Sequence, residues 1–218
     1  MHSTETIQDR ARAGKLLSRK LRDYADAYTV ITGVTRGGVL VAAAVAEELD
    51  LPLEVIPCRK IKHPADNTRS LGSVCGNDVI THQEYQDIPQ DYICHQVNMI
   101  RYALALESKY FYGDGQPASF QNKTVIVVDD WVQSGDTLAA CLNNILKQKP
   151  RKLIAAVPFI STKAARLLQG IADELIYLHM DRSVRPATEC FLSFPSVSLE
   201  EVKASLKKFK DSRTTTNG

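Results

Sequence analysis

The stretch Val125 to Thr137, VIVVDDWVQSGDT, constrains this chain more than any other part of it. Val125, Ile126, Val127 and Val128 are four consecutive β-branched residues, the pattern of a strand buried on both faces of a parallel sheet. Asp129 and Asp130 then emerge at the carboxyl end, where open α/β sheets bind their ligands. Gln133, Ser134, Gly135, Asp136 and Thr137 lead into LAACLNNILKQ, in which Leu138, Leu142, Ile145 and Leu146 recur at helical spacing. A helix start presents unpaired backbone N–H groups at the positive end of a dipole, so with the Ser134 and Thr137 hydroxyls it suits a phosphate. Two carboxylates beside an anion site repel it unless they face sugar hydroxyls or a divalent cation. Together these features point to a phosphorylated ribose. Reading Asp129 and Asp130 as a mere solvated turn leaves the loop and helix behind them unexplained.

The stretch resembles the signature of type I phosphoribosyltransferases, which bind 5-phosphoribosyl-1-diphosphate: hydrophobic residues, two acids, a short variable segment, then Thr/Ser-Gly-X-Thr. The resemblance implies that Asp129 and Asp130 bind the ribose hydroxyls and that Gln133, Ser134, Gly135, Asp136 and Thr137 hold the 5-phosphate. It also implies Mg2+ as cofactor, met by Asp129 and Asp130 directly, through ribose hydroxyls or through water. Upstream, TVITGV (Thr29 to Val34) is a second candidate strand, followed by Thr35, Arg36, Gly37 and Gly38 and by the alanine-rich helix former VLVAAAVAEELD. Paired glycines admit close backbone approach and Arg36 adds a fixed positive charge, although an ordinary strand-to-helix turn would read the same. In the family the corresponding loop binds pyrophosphate. A third strand, Leu53 to Ile56, runs into Pro57, Cys58, Arg59, Lys60, Lys62, His63 and Arg69. Arg59 and Lys60 are candidate pyrophosphate ligands there. The basic segment after them, about 60 to 75, resembles the flexible loop that closes over the reaction, with a solvated surface loop as the plain alternative.

Composition restricts the rival classes. The 218 residues, 44% hydrophobic and 24% charged, suffice for one globular domain. A net charge of +2 without a basic stripe argues against nucleic acid as a partner. Cys58, Cys75, Cys94, Cys141 and Cys190 are widely spread and show no CxxC spacing, so neither a disulfide framework nor a zinc site is expected. No signal sequence or long apolar run stands out, which predicts a cytoplasmic protein with no membrane partner.

Strands alternating with helical patterns predict an α/β, Rossmann-like open parallel sheet flanked by helices, in a single domain over 1–218. An amphipathic helix is expected from Ile7 to Tyr28, a less regular zone from Lys60 to Ile88, and a helix from Asp91 to Tyr112. Strands at Lys152 to Val157 and Glu174 to His179 flank a helix at Thr162 to Gly170; 198–209 closes the fold as a helix and 211–218 is a frayed tail. Almost the whole chain, including DRARAGKLLSRKL, AAVPF and FPSVSLEEV, resembles a bacterial subfamily of type I enzymes with no assigned acceptor.

That resemblance implies transfer of the 5-phosphoribosyl group to a nitrogenous acceptor of the nucleobase type, release of pyrophosphate, a place in nucleotide salvage, and a homodimer. Arg36, Lys60 and Asp130 are the candidate catalytic residues. Acceptor recognition is assigned to a small hood, mainly 178–196 with an N-terminal contribution; Trp131, Asp181 and Arg182 are candidates, though each reads equally well as core or surface. His179 reads as a structural histidine. Where purine-salvage enzymes carry an Asp three residues after the second acid, this chain has Gln133, whose amide has no useful proton affinity near neutral pH. Asp136 replaces a common glycine and is expected to face the helix dipole. The rival function is a non-catalytic nucleotide-binding regulator on the same fold.

Overall fold

The computed structural model describes residues 6–66, 69–81, 88–182 and 185–214, with side chains to 209 in the last helix. Helix α1 (Arg10–Leu21) starts at Asp9, whose carboxylate accepts the Arg12 N–H at 2.7 Å. It ends earlier than the expected 28, passing through a 3₁₀ turn at Arg22–Tyr24. The reason is local: the Asp26 carboxylate accepts the Tyr28 N–H at 2.8 Å, an Asx turn that competes with helix.

Strand β1 (Thr29–Val34) follows, then α2 (Gly37–Leu49) and β2 (Leu53–Ile56). Later come α3 (Gln90–Tyr112), β6 (Thr124–Val128), α4 (Asp136–Leu146), β7 (Lys152–Ser161), α5 (Thr162–Leu168) and β8 (Glu174–Asp181), and the chain closes with the short α6 (Ala187–Cys190) and α7 (Leu199–Thr214). The five strands β1, β2, β6, β7 and β8 form a wholly parallel sheet in the order β2-β1-β6-β7-β8. The expected architecture is thus present. Strand β7 runs past the expected Val157 because Pro158 is accommodated within it: pairing to β8 resumes at Phe159–His179 and reaches Ser161–Asp181.

Alternation along the central strands builds two cores. Ile31, Ile126 and Val128 turn toward α1, α2 and α7. Val30, Val125 and Val127 turn toward α4 and α5, meeting Leu138, Leu142 and Leu168. Each such fully buried Leu or Ile contributes about 1.5–3 kcal/mol. The 3.6-residue period of the helices and the two-residue period of the strands therefore meet over the same layer.

The zone expected to be irregular between 60 and 88 is largely a second sheet. Strands β3 (Cys58–Lys62), β4 (Ser70–Cys75) and β5 (Asp78–Thr81) pair antiparallel in that order. Ile61, Leu71 and Val74 are its buried face, packed on Val97, Ile100 and Leu104 of α3. Asn144 of α4 donates to the Asp78 carboxylate at 3.0 Å and Lys147 pairs with the same group. Interspersed basic residues and glycines hid this face from a pattern reading. Within the loop expected at 60–75, then, 60–62 and 70–75 are strand, and 67–68 lie outside the described residues.

Helices α1 and α2 touch at Gly14, where a Cβ would meet the Ala44 Cβ and the Val41 carbonyl at 2.5 Å each. Gly14→Val forces the helices apart, an overpacking that costs about 1–3 kcal/mol, and at about 2–4 °C per kcal/mol lowers the melting temperature accordingly. A melting curve unchanged from wild type would show that this contact is not tight.

Candidate active site

Strand β6 ends against the side of α2, and the contact is made possible by glycine. A Cβ at Gly38 would meet the Val128 carbonyl at 2.7 Å and the Asp129 Cα at 2.9 Å; one at Gly37 would meet the Asp130 carboxylate at 1.9 Å. The two glycines of the Thr35–Gly38 loop therefore admit the acids Asp129 and Asp130. The loop itself contains a cis peptide bond between Thr35 and Arg36.

Above this junction lies a cleft of about 510 Å³, lined by Thr35, Lys60, Asp129, Asp130, Trp131, Gln133, Ser134, Gly135 and Thr137. Gly135 holds φ at 87°, a left-handed conformation suited to glycine, and there the loop turns into α4. Among the described residues no side chain caps the start of α4, which leaves its first N–H groups without a side-chain partner beside the cleft residues Gly135 and Thr137. Asp136 is buried as the first residue of the helix and is outside the cleft lining. The Thr137 hydroxyl lies 3.0 Å from that of Ser73 on β4, which ties the second sheet to the helix start. Ser161 donates to the Gln133 carbonyl at 2.5 Å and fixes the other end of the loop.

The paired acids are unequal. Asp130 accepts a hydrogen bond from Arg10 Nε at 2.8 Å, and both side chains are nearly buried. Arg10 also donates to the Pro195 carbonyl at 2.7 Å and lies 3.7 Å over the Phe194 ring. Removing one partner of such a buried pair costs about 3–5 kcal/mol because the other is left uncompensated. Asp129 accepts the Asp130 N–H at 2.9 Å, but burial, then the Asp130 charge, push its carboxyl well above the usual range. Lys60 across the cleft works in the opposite direction.

The remaining expected site residues are placed apart from the cleft. Arg59 pairs with the buried Glu107 of α3, and Arg36 lies 3.8 Å from the same carboxylate. Those two cations share one anion, which leaves Lys60 as the one of the three that lines the cleft. Asp181 is paired with Arg185 at 2.8 Å in a neighbouring small cavity, and Arg182 is exposed. His179 stacks on Phe159 with ring centroids 5.1 Å apart.

Ala187 and Phe194, within the expected hood at 178–196, also line the cleft, as do Arg10 and Cys58, which were not site candidates from sequence. Arg10 sits in a helix full of charge, so nothing in the pattern marks it as the buried one. The N-terminal segment is tied to the segment after α6 by backbone pairing: Ile7 N–H donates to the Cys190 carbonyl at 3.0 Å, and Leu192 N–H to the Ile7 carbonyl at 2.9 Å.

Two carboxylates and an uncapped helix start at the carboxyl edge of a parallel sheet define a class of α/β proteins that hold phosphorylated ligands at that edge. The chain belongs to the phosphoribosyl transferase family: residues 3–181 match the phosphoribosyl transferase domain. Two Mycobacterium tuberculosis proteins whose names include "phosphoribosyl transferase" are 25% identical over 209 residues, covering 93% of this chain. The chain spans 46% of the length of those relatives. The structure of TT1426 from Thermus thermophilus aligns with a TM-score of 0.75 at 28% identity, over 94% of this chain and 99% of that one. A hypothetical protein from Neisseria gonorrhoeae, solved with bound ppGpp, shares the fold at a TM-score of 0.50 and 16% identity, over 95% and 99% of the two chains. Among the described residues, no helix is long and apolar enough to cross a membrane.

Because the Asp129 carboxyl is raised in the folded protein, that state binds more protons than the unfolded chain between the two values. Stability of the ligand-free protein therefore falls as pH rises through this window, starting from about 3.9. Asp129→Asn removes the loss: in urea denaturation from pH 4 to pH 8 the stability difference between variant and wild type shifts in the variant's favour as pH rises. Parallel stability curves would contradict the assignment.

Proposed function

We propose that this protein transfers the 5-phosphoribosyl group of 5-phosphoribosyl-1-diphosphate to a nitrogen of a nucleobase-type acceptor, releasing pyrophosphate. The observation that carries this reading is the meeting, in one cleft, of Asp129 and Asp130 with the uncapped start of α4 and with Lys60. In the proposed complex the 5-phosphate lies on the N–H groups of Ser134 to Thr137, where the helix dipole favours an anion. Asp129 and Asp130 accept the ribose hydroxyls. The diphosphate extends toward Thr35 and Lys60, with Gly37 and Gly38 behind the acids as spacers. Arg36 and Arg59, anchored by Glu107, contribute positive potential from behind this loop.

The donor set suits Mg2+. Asp129 and Asp130 would hold it as hard oxygen ligands, each with one oxygen already used on Asp130 N–H or Arg10. When bound it neutralises charge on the departing diphosphate. The protein's own part is placement. As the C1–oxygen bond breaks, the ribose gains oxocarbenium character, and the electron pair leaves with a diphosphate held near Lys60. The acceptor nitrogen then forms the new bond to C1.

The acceptor sits against Trp131, which lines the cleft beside Gln133. Phe194 is a weaker stacking candidate, since Arg10 covers it and Phe191 stacks on it at 5.0 Å. An acceptor that brings its own nucleophilic nitrogen fits a site with Gln133 in place of an acid, and supply of a base places the reaction in nucleotide salvage. The working assembly is a homodimer in the cytoplasm, which light scattering of the purified protein checks for the dimer.

Pyrophosphate release is measured with the diphosphate and Mg2+ against a panel of purine and pyrimidine bases. The expected result is release that depends on one base class and falls at least ~100-fold in Lys60→Ala. Binding of the diphosphate without turnover on any base would move the protein to the nucleotide-binding regulators, and release without added base would make it a hydrolase of ribosyl phosphates.

A further inference from the structure

Cysteine spacing alone gave no reason to expect a metal site, yet folding brings three of the five cysteines to one point. Cys58 of β3, Cys75 of β4 and Cys141 of α4 are buried, and their sulfurs lie within 4.8 Å of one another. Among the described residues this is the one group of His, Cys, Asp or Glu side chains so arranged. We propose that it is a site for a thiophilic divalent ion of the zinc type, beside the ribose-phosphate cradle.

The convergence has a backbone cause. Cys58 and Cys75 are directly opposite in the antiparallel pair. Cys58 N–H donates to the Thr35 hydroxyl at 2.9 Å, that hydroxyl donates back to the Cys58 carbonyl at 3.3 Å, and Asn144 donates to the Cys75 carbonyl at 3.4 Å. The polar edges of both residues therefore face away from each other, as in a non-hydrogen-bonded pair, where side chains approach most closely. Cys141 lies one helical turn after Thr137, and helical side chains lean toward the preceding turn. Its sulfur is thereby aimed at the same point.

The dimensions fit a tetrahedral ion. Zinc–sulfur bonds of about 2.3 Å require sulfurs about 3.8 Å apart, and a carbonyl ligand stands about 3.6 Å from each sulfur. The Thr137 carbonyl oxygen, which accepts from the Cys58 thiol at 3.8 Å, is the candidate fourth ligand. Closing the sulfurs from at most 4.8 Å takes about an ångström, shared by three side chains. Buried thiols are often simple core packers, small hydrophobes among others. Here, however, the sulfurs come from three separate elements, and two of the three cysteines line cavities. Cys58 lines the active-site cleft, and Cys75 lines a second cavity of about 340 Å³ between α3 and α4, so an ion has an entry path. The two positive charges of the ion would offset two of the three thiolate charges. The ion would brace β3 and β4 against the helix start that carries Thr137, and through Cys58 the Thr35 loop.

Reduced full-length protein is titrated with Cd2+, a spectroscopic stand-in for Zn2+. The expected result is a thiolate-to-metal absorption band that saturates at one equivalent, is displaced by Zn2+, disappears in Cys141→Ser and persists in Cys94→Ser. No saturable band, or one that Cys141→Ser leaves intact, overturns the proposal. Should Cys141→Ser fail to fold, zinc-edge X-ray absorption of the wild-type protein with one equivalent of Zn2+ decides: three sulfurs at about 2.3 Å support the site, and fewer than three refute it.

Discussion

The fold turns on how two adjacent carboxylates are kept inside a protein. Asp129 and Asp130 stand at the end of a strand buried on both faces, a position where an unbalanced charge is costly. Arg10 balances one of them from α1, and in doing so fastens the first helix, the end of β6 and the segment around Phe194 and Pro195 to a single point. Asp129 has a backbone N–H and the distant Lys60 for compensation, and its carboxyl is pushed up accordingly. In the ligand-free protein the charged form of Asp129 is thus disfavoured.

Glycine makes that arrangement possible in space. Side chains at Gly37 or Gly38 would occupy the volume of the Asp130 carboxylate or the Asp129 backbone. The loop read from sequence as a cradle for pyrophosphate is also the spacer that lets the acids sit against α2. The cations expected beside it are arranged with equal economy, since one buried Glu107 holds Arg36 and Arg59 while Lys60 is left facing the cleft.

Local pattern was enough for the parallel sheet, because four β-branched residues in a row and alanine-rich helices carry their structure within short windows. The cleft residues from Asp129 to Thr137 were legible for the same reason: strand end, glycine turn and helix start follow one another in the chain. What escaped was tertiary. Arg10 is one of several cations on a charged helix, and only its long-range pairing with Asp130 marks it. The second sheet alternates imperfectly, with Gly72 at a register irregularity next to Ile61 and Lys62, so its buried face of Ile61, Leu71 and Val74 emerges only against α3. The three cysteines meet through strand register and a helix turn that sequence spacing does not encode.

The central claim, that the carboxylates and the helix start form one ribose-phosphate cradle, is tested most directly by calorimetric titration of 5-phosphoribosyl-1-diphosphate with Mg2+. Wild-type protein and Asp129→Asn/Asp130→Asn are compared, both shown folded by circular dichroism. The account predicts saturable one-to-one binding to wild type and no detectable heat in the double variant. Equal binding heat in the two proteins would contradict it.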